Sequence, residues 1–169
     1  MSAKEAADAS RSMSITWDDP ARFAAARRTL SGLEFLRAIR DRKLPPAPMA
    51  ALLGLELVEA EPGRVVFQAI PAERHYNPSG VAHGGLAMTL LDSAMACSVQ
   101  TQLPSGTGYT SLEIKVNLVR AITSGTGPVR AIGRVVHLGK RTATADGRIE
   151  DAAGKLYAHG TTTCIILAG

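Results

Sequence analysis

Aromatic side chains are scarce in this 169-residue chain: three Phe, three Tyr and one Trp. So few rings leave little material for a pocket selective for aromatic groups, and none are interleaved with the basic residues as a nucleic-acid surface requires. Cysteine is scarcer still, with Cys97 and Cys164 only. Neither belongs to a C-x-x-C pair, so a disulfide framework and a thiolate metal site are both excluded, and both thiols read as reduced and buried. No stretch approaches twenty consecutive apolar residues, and no secretory hydrophobic region or lipidation signal is present. The expectation is a cytoplasmic protein without a membrane partner. The four histidines show neither H-x-x-x-H nor H-E-x-x-H spacing, so no metal is expected. The absence of a G-x-S-x-G elbow argues against a serine triad.

What is present is ample apolar material. Hydrophobic residues make up 46% of the chain, enough for one domain of ordinary size to bury a core without staples. The formal charge of +4 comes from scattered Lys and Arg. It suits an anionic small molecule and equally suits ordinary solubility, and without a basic stripe it argues against nucleic acid.

Residues 1–16 are small, polar and aperiodic, the composition of a disordered tail. Residues 17–47 form a helical extension. Asp18, Asp19 and Pro20 read as one helix start, and Ser31-Gly-Leu-Glu34 as the capping box of a second helix. Leu33, Phe35, Leu36 and Ile39 mark the second helix's apolar face, and it ends before Pro45 and Pro46. This extension covers a sheet edge, lids a channel or packs on a neighbouring subunit. Residues 48–169 then read as one domain. Pro48 to Leu53 allows a short helix, and Leu55–Glu61 and Arg64–Pro71 make a hairpin about Pro62-Gly63. Leu86–Val99 is too long an apolar run for a strand and reads as a helix. Strands follow at Tyr109–Arg120, Val129–Leu138, Thr142–Glu150 and Leu156–Leu167. In the first of these, Leu112, Ile114, Val116 and Leu118 share one face, and Glu113, Lys115 and Asn117 the other. One helix amid successive antiparallel strands is an α+β layout.

The chemistry concentrates in His75–Asp92, HYNPSGVAHGGLAMTLLD. Asn77, Pro78, Ser79 and Gly80 form a turn, and Gly84 and Gly85 open the long helix, whose first backbone N–H groups lack intrahelical partners. With the helix dipole behind them they offer a candidate oxyanion hole. Asp92 stands among Leu90, Leu91, Ala94 and Met95, where an ionised carboxylate needs a partner or a task.

The pattern H-x-N-x-x-G-x-x-H-G-G, with an Asp seven residues after the second glycine, resembles the PaaI-type acyl-CoA thioesterases of the hotdog superfamily. The resemblance continues through SLEIKVNLVR at Ser111–Arg120, VVHLGKRTAT at Val135–Thr144 and DAAGKLYAHGT at Asp151–Thr161. It spans roughly residues 48–167. It implies a hotdog fold, a long central helix wrapped by a curved antiparallel sheet, here with an N-terminal helical extension. It also implies hydrolysis of acyl-CoA without a cofactor, in a homodimer or in a homotetramer made of two such dimers.

On this resemblance Asp92 is the general base or the nucleophile, and the Gly84 N–H and Asn77 bind the thioester oxygen. Gly85 permits close packing at the helix start, while His83 orients the loop or touches substrate. Ser111 matches a hydroxyl that holds the attacking water, with Thr110 an adjacent competitor. Gly139, Lys140 and Arg141 fall near the nucleotide end of coenzyme A, or are simply a solvated turn. Relatives commonly carry Arg-Pro where this chain has Arg120-Ala121, a departure that bears on channel shape. Small residues such as Ala87, Ala94 and Ala96 leave room for varied acyl chains. Cys97, lacking a motif histidine, reads as core rather than nucleophile. The rivals are a non-catalytic acyl-CoA binder on the same fold, which retention of Asp92 and Asn77 opposes, and a hotdog hydratase or dehydratase, whose Asp-His couple is not found.

Overall fold

A computed structural model describes residues 10–167. The first nine residues of the expected tail lie outside the described residues. The helical extension comprises α1 (Ala21–Thr29) and α2 (Gly32–Arg40). The Asp19 carboxylate accepts the Ala21 N–H at 2.9 Å at the start of α1. The capping box forms as the spacing predicts, the Ser31 hydroxyl taking the Glu34 N–H and the Glu34 carboxylate the Ser31 N–H. Phe35 and Leu36 of α2 are buried in the core, and Leu33 and Ile39 pack against it. The Gly32 N–H donates to the Leu103 carbonyl at 3.0 Å. The extension is therefore seated on the body of the domain.

A short helix, α3 (Pro48–Leu53), leads into β1 (Leu55–Glu61) and β2 (Arg64–Ala69). The long helix α4 (Gly84–Gln100) follows, and then β3 (Gly108–Leu118), β4 (Val129–Leu138), β5 (Thr142–Asp151) and β6 (Leu156–Leu167). The strands join one six-stranded sheet in the order β1-β2-β4-β5-β6-β3, every pairing antiparallel. The expected elements are all present, with ends shifted by a residue or two where strands give way to loops; β2 stops at Ala69 and β3 at Leu118. This is the hotdog fold: α4 lies in the concave side of the sheet.

Alternation supplies the sheet's inner face. Val129, Ala131, Ala143, Ala145, Ile149 and Ala158 are each at most 1% exposed. They meet Leu90, Leu91, Ala94, Met95 and Val99 of α4, which are completely buried. Burial of each large apolar side chain here contributes about 1.5–3 kcal/mol. Close approach of α4 is secured by two glycines on adjacent strands, Gly133 opposite Gly147. A methyl group at Gly133 would stand 2.2 Å from the Ala94 carbonyl oxygen, so the helix backbone rests directly on the strand. At Gly147 it would stand 2.7 Å from the Met95 side chain.

Pairing slips by one residue at Leu57/Glu59, Ser111/Glu113 and Val135/His137, and such bulges bend the sheet around the helix. The slip in β3 changes the face assignment expected from simple alternation. Ile114, Val116 and Leu118 lie opposite inward-facing Thr162, Gly160 and Ala158, and Ser111 lies opposite inward-facing Cys164. Leu112, expected with the other three, is the bulged residue and is 58% exposed.

Gly133→Ala is expected to destabilise the protein by about 1–3 kcal/mol or more, because a backbone carbonyl cannot step aside. Gly147→Ala costs less, because its obstacle is a flexible methionine. Chemical denaturation of both variants checks this; equal, small losses would contradict the direct seating of the helix on β4.

Candidate active site

The polar turn before α4 is held by its own backbone. The Asn77 N–H donates to the Val81 carbonyl at 2.8 Å and the Gly80 N–H to the Asn77 carbonyl at 3.0 Å. Gly80 adopts φ 77°, the left-handed region that suits glycine. The Asn77 side-chain oxygen accepts the Ser79 N–H at 2.9 Å. Its NH2 group, with no acceptor among the described residues, is left available as a donor.

At the start of α4, His83 is the N-cap. Its Nδ1 accepts the Gly85 N–H at 2.9 Å, so the ring hydrogen sits on Nε2, and its carbonyl accepts the Leu86 N–H. A methyl group at Gly85 would approach that Nδ1 to 3.0 Å, so glycine there preserves the cap. The Gly84 N–H has no acceptor among the described residues. Asn77, His83 and Gly84 line one cleft of about 250 Å³ together with Ala87, Arg120 and Ala121. The Arg120 guanidinium stacks over the Tyr157 ring at 5.8 Å.

Asp92 is the only charged residue of α4. It is half-buried, and its position differs from that expected. Leu90, Leu91, Ala94 and Met95 turn into the sheet, whereas Gly85, Met88, Thr89 and Asp92 form the stripe that the chain's own sheet leaves uncovered. The carboxylate has a partner: the Ser111 hydroxyl donates to Asp92 Oδ1 at 2.8 Å. Thr110, the competing hydroxyl, is exposed and pairs with Ile165 across the sheet. The β3 bulge is what turns Ser111 inward.

Asp92 does not line the cleft that holds Asn77 and Gly84. Gly84 and Asp92 lie eight residues apart in one helix, about 12 Å along its axis at 1.5 Å per residue. Gly139, Lys140 and Arg141 make the β4–β5 turn. Both cations are exposed, and neither lines that cleft. Strand pairing places Ser111 opposite Cys164 and Cys164 opposite Ala143, so the turn leaves the sheet at the end where Ser111 stands. Two strand spacings, about 10 Å, separate β3 from β5.

A larger cavity, of about 570 Å³, lies between α4 and the N-terminal helices. All three phenylalanines of the chain, Phe23, Phe35 and Phe67, line it together with Tyr109. Low aromatic content therefore does not mean an aromatic-poor pocket, because folding gathers the rings in one place. Ala94 and Ala96, expected to leave room for substrate, are buried and line neither space. Cys97 is a half-buried residue of the cavity wall, and burial pushes its thiol up to about 11. Protonated at neutral pH, it is no nucleophile. Cys164 is buried and likewise raised by burial. Among the described residues, no three His, Cys, Asp or Glu side chains converge to hold a metal ion, and no helix is long and apolar enough to cross a membrane.

A central helix cradled by a six-stranded antiparallel sheet defines the class of hotdog-fold proteins. Comparison with known proteins agrees. The thioesterase superfamily model matches residues 79–158. Human acyl-coenzyme A thioesterase 13 is 32% identical over 111 residues, 64% of this chain and 77% of that protein. The 1,4-dihydroxy-2-naphthoyl-CoA hydrolase of Listeria monocytogenes is 29% identical over 104 residues, 62% of this chain and 83% of that one. Among solved structures, a mutant of the phenylacetic acid degradation protein PaaI from Thermus thermophilus is 31% identical, with a TM-score of 0.64 over 70% of this chain and 98% of that one. The E. coli PaaI protein shares the fold, with a TM-score of 0.70 at 22% identity over 83% of this chain and 98% of that one. The chain belongs to the thioesterase superfamily, in its PaaI-type hotdog group.

If Ser111 orients the Asp92 carboxylate, Ser111→Ala loses a hydrogen bond to a charged group, worth about 1.5–3 kcal/mol. The expected loss in thioester kcat is on the order of tenfold to a hundredfold, with KM little changed. Ser111→Thr, which keeps the hydroxyl, is expected to recover part of it. A full-rate Ser111→Ala enzyme would contradict this role.

Proposed function

We propose that this protein hydrolyses acyl-CoA thioesters to free acid and coenzyme A, at a site shared between two copies of the chain. The observation that carries this reading is the separation of the parts. A thioester carbonyl whose oxygen rests on the Gly84 N–H must have its carbon within about 3.5 Å of the attacking oxygen. Asp92 of the same helix stands about 12 Å away along the axis. A second copy related by a two-fold axis brings its own Asp92 and Ser111 to the first copy's Asn77 and Gly84, giving two equivalent sites per dimer.

Exposed apolar surface supports such a pairing. β3 is an edge strand, Leu112 and Leu118 on it and Val119 just beyond it are exposed by half or more, and Met88 on the uncovered stripe of α4 is 45% exposed. An apolar strand edge left open invites pairing with another chain.

In this arrangement the Gly84 N–H and the Asn77 NH2 donate to the carbonyl oxygen and stabilise the charge that develops on it. Asp92, held by Ser111, either takes a proton from water as that water attacks the carbonyl carbon or attacks the carbon itself. Collapse of the tetrahedral intermediate expels the coenzyme A thiolate, leaving the free acid where water attacked; where Asp92 attacked, water then hydrolyses the acyl–Asp92 anhydride to release the acid and restore the carboxylate. Lys140 and Arg141 supply exposed positive charge for the nucleotide phosphates. The names of the human and Listeria relatives, both CoA thioester hydrolases, favour the coenzyme A carrier.

Two experiments test this. Asn77→Ala and Asp92→Ala chains are each expected to lose about 10²-fold or more in thiol release from acyl-CoA. Mixed after dissociation and reassociation, they leave one wholly native site per heterodimer, so activity returns. No recovery in confirmed heterodimers would mean a site built within one chain. Replacing Lys140 and Arg141 together by Ala is expected to raise KM for acyl-CoA more than for the matching acyl-pantetheine thioester. Equal effects on both substrates would remove this turn from the binding site.

A further inference from the structure

The cavity of about 570 Å³ is a largely apolar space, and its size falls within the range of small-molecule sites. One wall is α4 itself. Ser93, Cys97 and Gln100, at i, i+4 and i+7, form a single stripe of the helix along the cavity and extend about 10 Å at 1.5 Å per residue. That stripe begins at the residue after Asp92. Tyr109, two residues before Ser111 on the same edge strand, also lines it. One end of the cavity thus lies beside the Asp92–Ser111 pair, and the rest leads away from it.

The opposite wall is the helical extension. Phe23 of α1, Phe35 and Ile39 of α2, and Met49 and Ala50 of α3 face the cavity, and all lie outside residues 79–158, the part matched to the superfamily. Phe23 and Phe35 meet edge to face, with centroids 5.9 Å apart at 67°. The polar groups of the lining are few: the Arg27 guanidinium lies 5.5 Å over the Phe35 ring, the Tyr109 hydroxyl donates to Gln100 Oε1 at 3.0 Å, and the Cys97 thiol is protonated.

We infer that the N-terminal helices close an acyl-binding chamber, and that this chamber selects thioesters of bulky apolar acids, ring or chain, over those of short acids. The inference rests on the thioesterase reading for its reaction but on the cavity for its selectivity. With the thioester carbon at Asp92, the acyl group runs along Ser93, Cys97 and Gln100 beneath α1–α3. A bulky apolar acyl group gains there by leaving water for rings and aliphatic side chains. An acetyl group ends before reaching the extension and gains nothing from it.

Two narrowing variants test this, Ala50→Phe within the wall and Ala24→Phe on the more exposed face of α1, a position where a ring threatens the fold least. The measurement is kcat/KM for octanoyl-CoA, phenylacetyl-CoA and acetyl-CoA. In either variant the ratio of the bulky substrates to acetyl-CoA is expected to fall tenfold or more. Octanoate and phenylacetate, added as free acids, are expected to raise the Tm of the wild-type chain, acetate not, and the rise to vanish in the variants. Loss of octanoyl-CoA turnover alone identifies a chain-binding chamber, and loss of phenylacetyl-CoA turnover alone a ring-binding one. An unchanged ratio, with the acids still raising Tm in both variants, overturns the inference. A wild-type protein that cleaves no acyl-CoA, yet is stabilised by the bulky acids in an Ala50-dependent way, keeps the chamber and overturns the reaction.

Discussion

Contact between the backbone of α4 and the strand beneath it governs the rest of the molecule. Helices usually stand off a sheet on their side chains, but at Gly133 the Ala94 carbonyl occupies the space where a side chain would be. Gly133 and its neighbour Gly147 let the sheet wrap closely enough that small residues suffice as filler, and Ala131, Ala143, Ala145 and Ala158 are all buried there. Tight seating on one side fixes the rotation of the helix, and that rotation decides which residues remain on the open side. Gly85, Met88, Thr89 and Asp92 are left there because Leu90, Leu91 and Met95 are taken by the sheet.

The candidate site inherits its precision from this arrangement. Asp92 is positioned by a helix that cannot roll, and Ser111 by a strand whose bulge turns it toward that helix. Gly84 is delivered by the first turn of the same helix, with His83 consuming the neighbouring N–H and leaving Gly84 unpaired among the described residues. An unpaired donor beside a donor engaged in a cap is a selective way to present one N–H to a ligand oxygen.

Much of this is legible in the chain. The capping box at Ser31–Glu34, the turn at Asn77–Gly80 and the apolar run of α4 are local signals, and local physics decides them. The strand segments are readable because alternation survives along most of their length. Asp92 stands out as a lone acid in an apolar run, although a linear reading surrounds it with leucines that in fact face the other way. Ser111 cannot be separated from Thr110 by sequence, because a bulge depends on the partner strand and leaves no mark in alternation. The convergence of Phe23, Phe35 and Phe67 joins residues far apart in the chain, so composition alone suggests the opposite of what folding achieves.

The bulge at Leu112 has a consequence for how this chain tolerates change. An extra residue acts as a phase shifter within β3, so the segment carrying Ser111 and the segment carrying Ile114, Val116 and Leu118 obey separate parities. Substitutions that remodel the outer segment, and with it the character of the strand edge, leave the hydroxyl aimed at the carboxylate. Deleting Leu112 itself would set Glu113 directly after Ser111 and still opposite Thr163, so every later side chain would keep its face. The interface and the chemistry can thus drift independently through substitution, while a one-residue insertion or deletion within either regularly paired segment would turn the side chains beyond it to the opposite face.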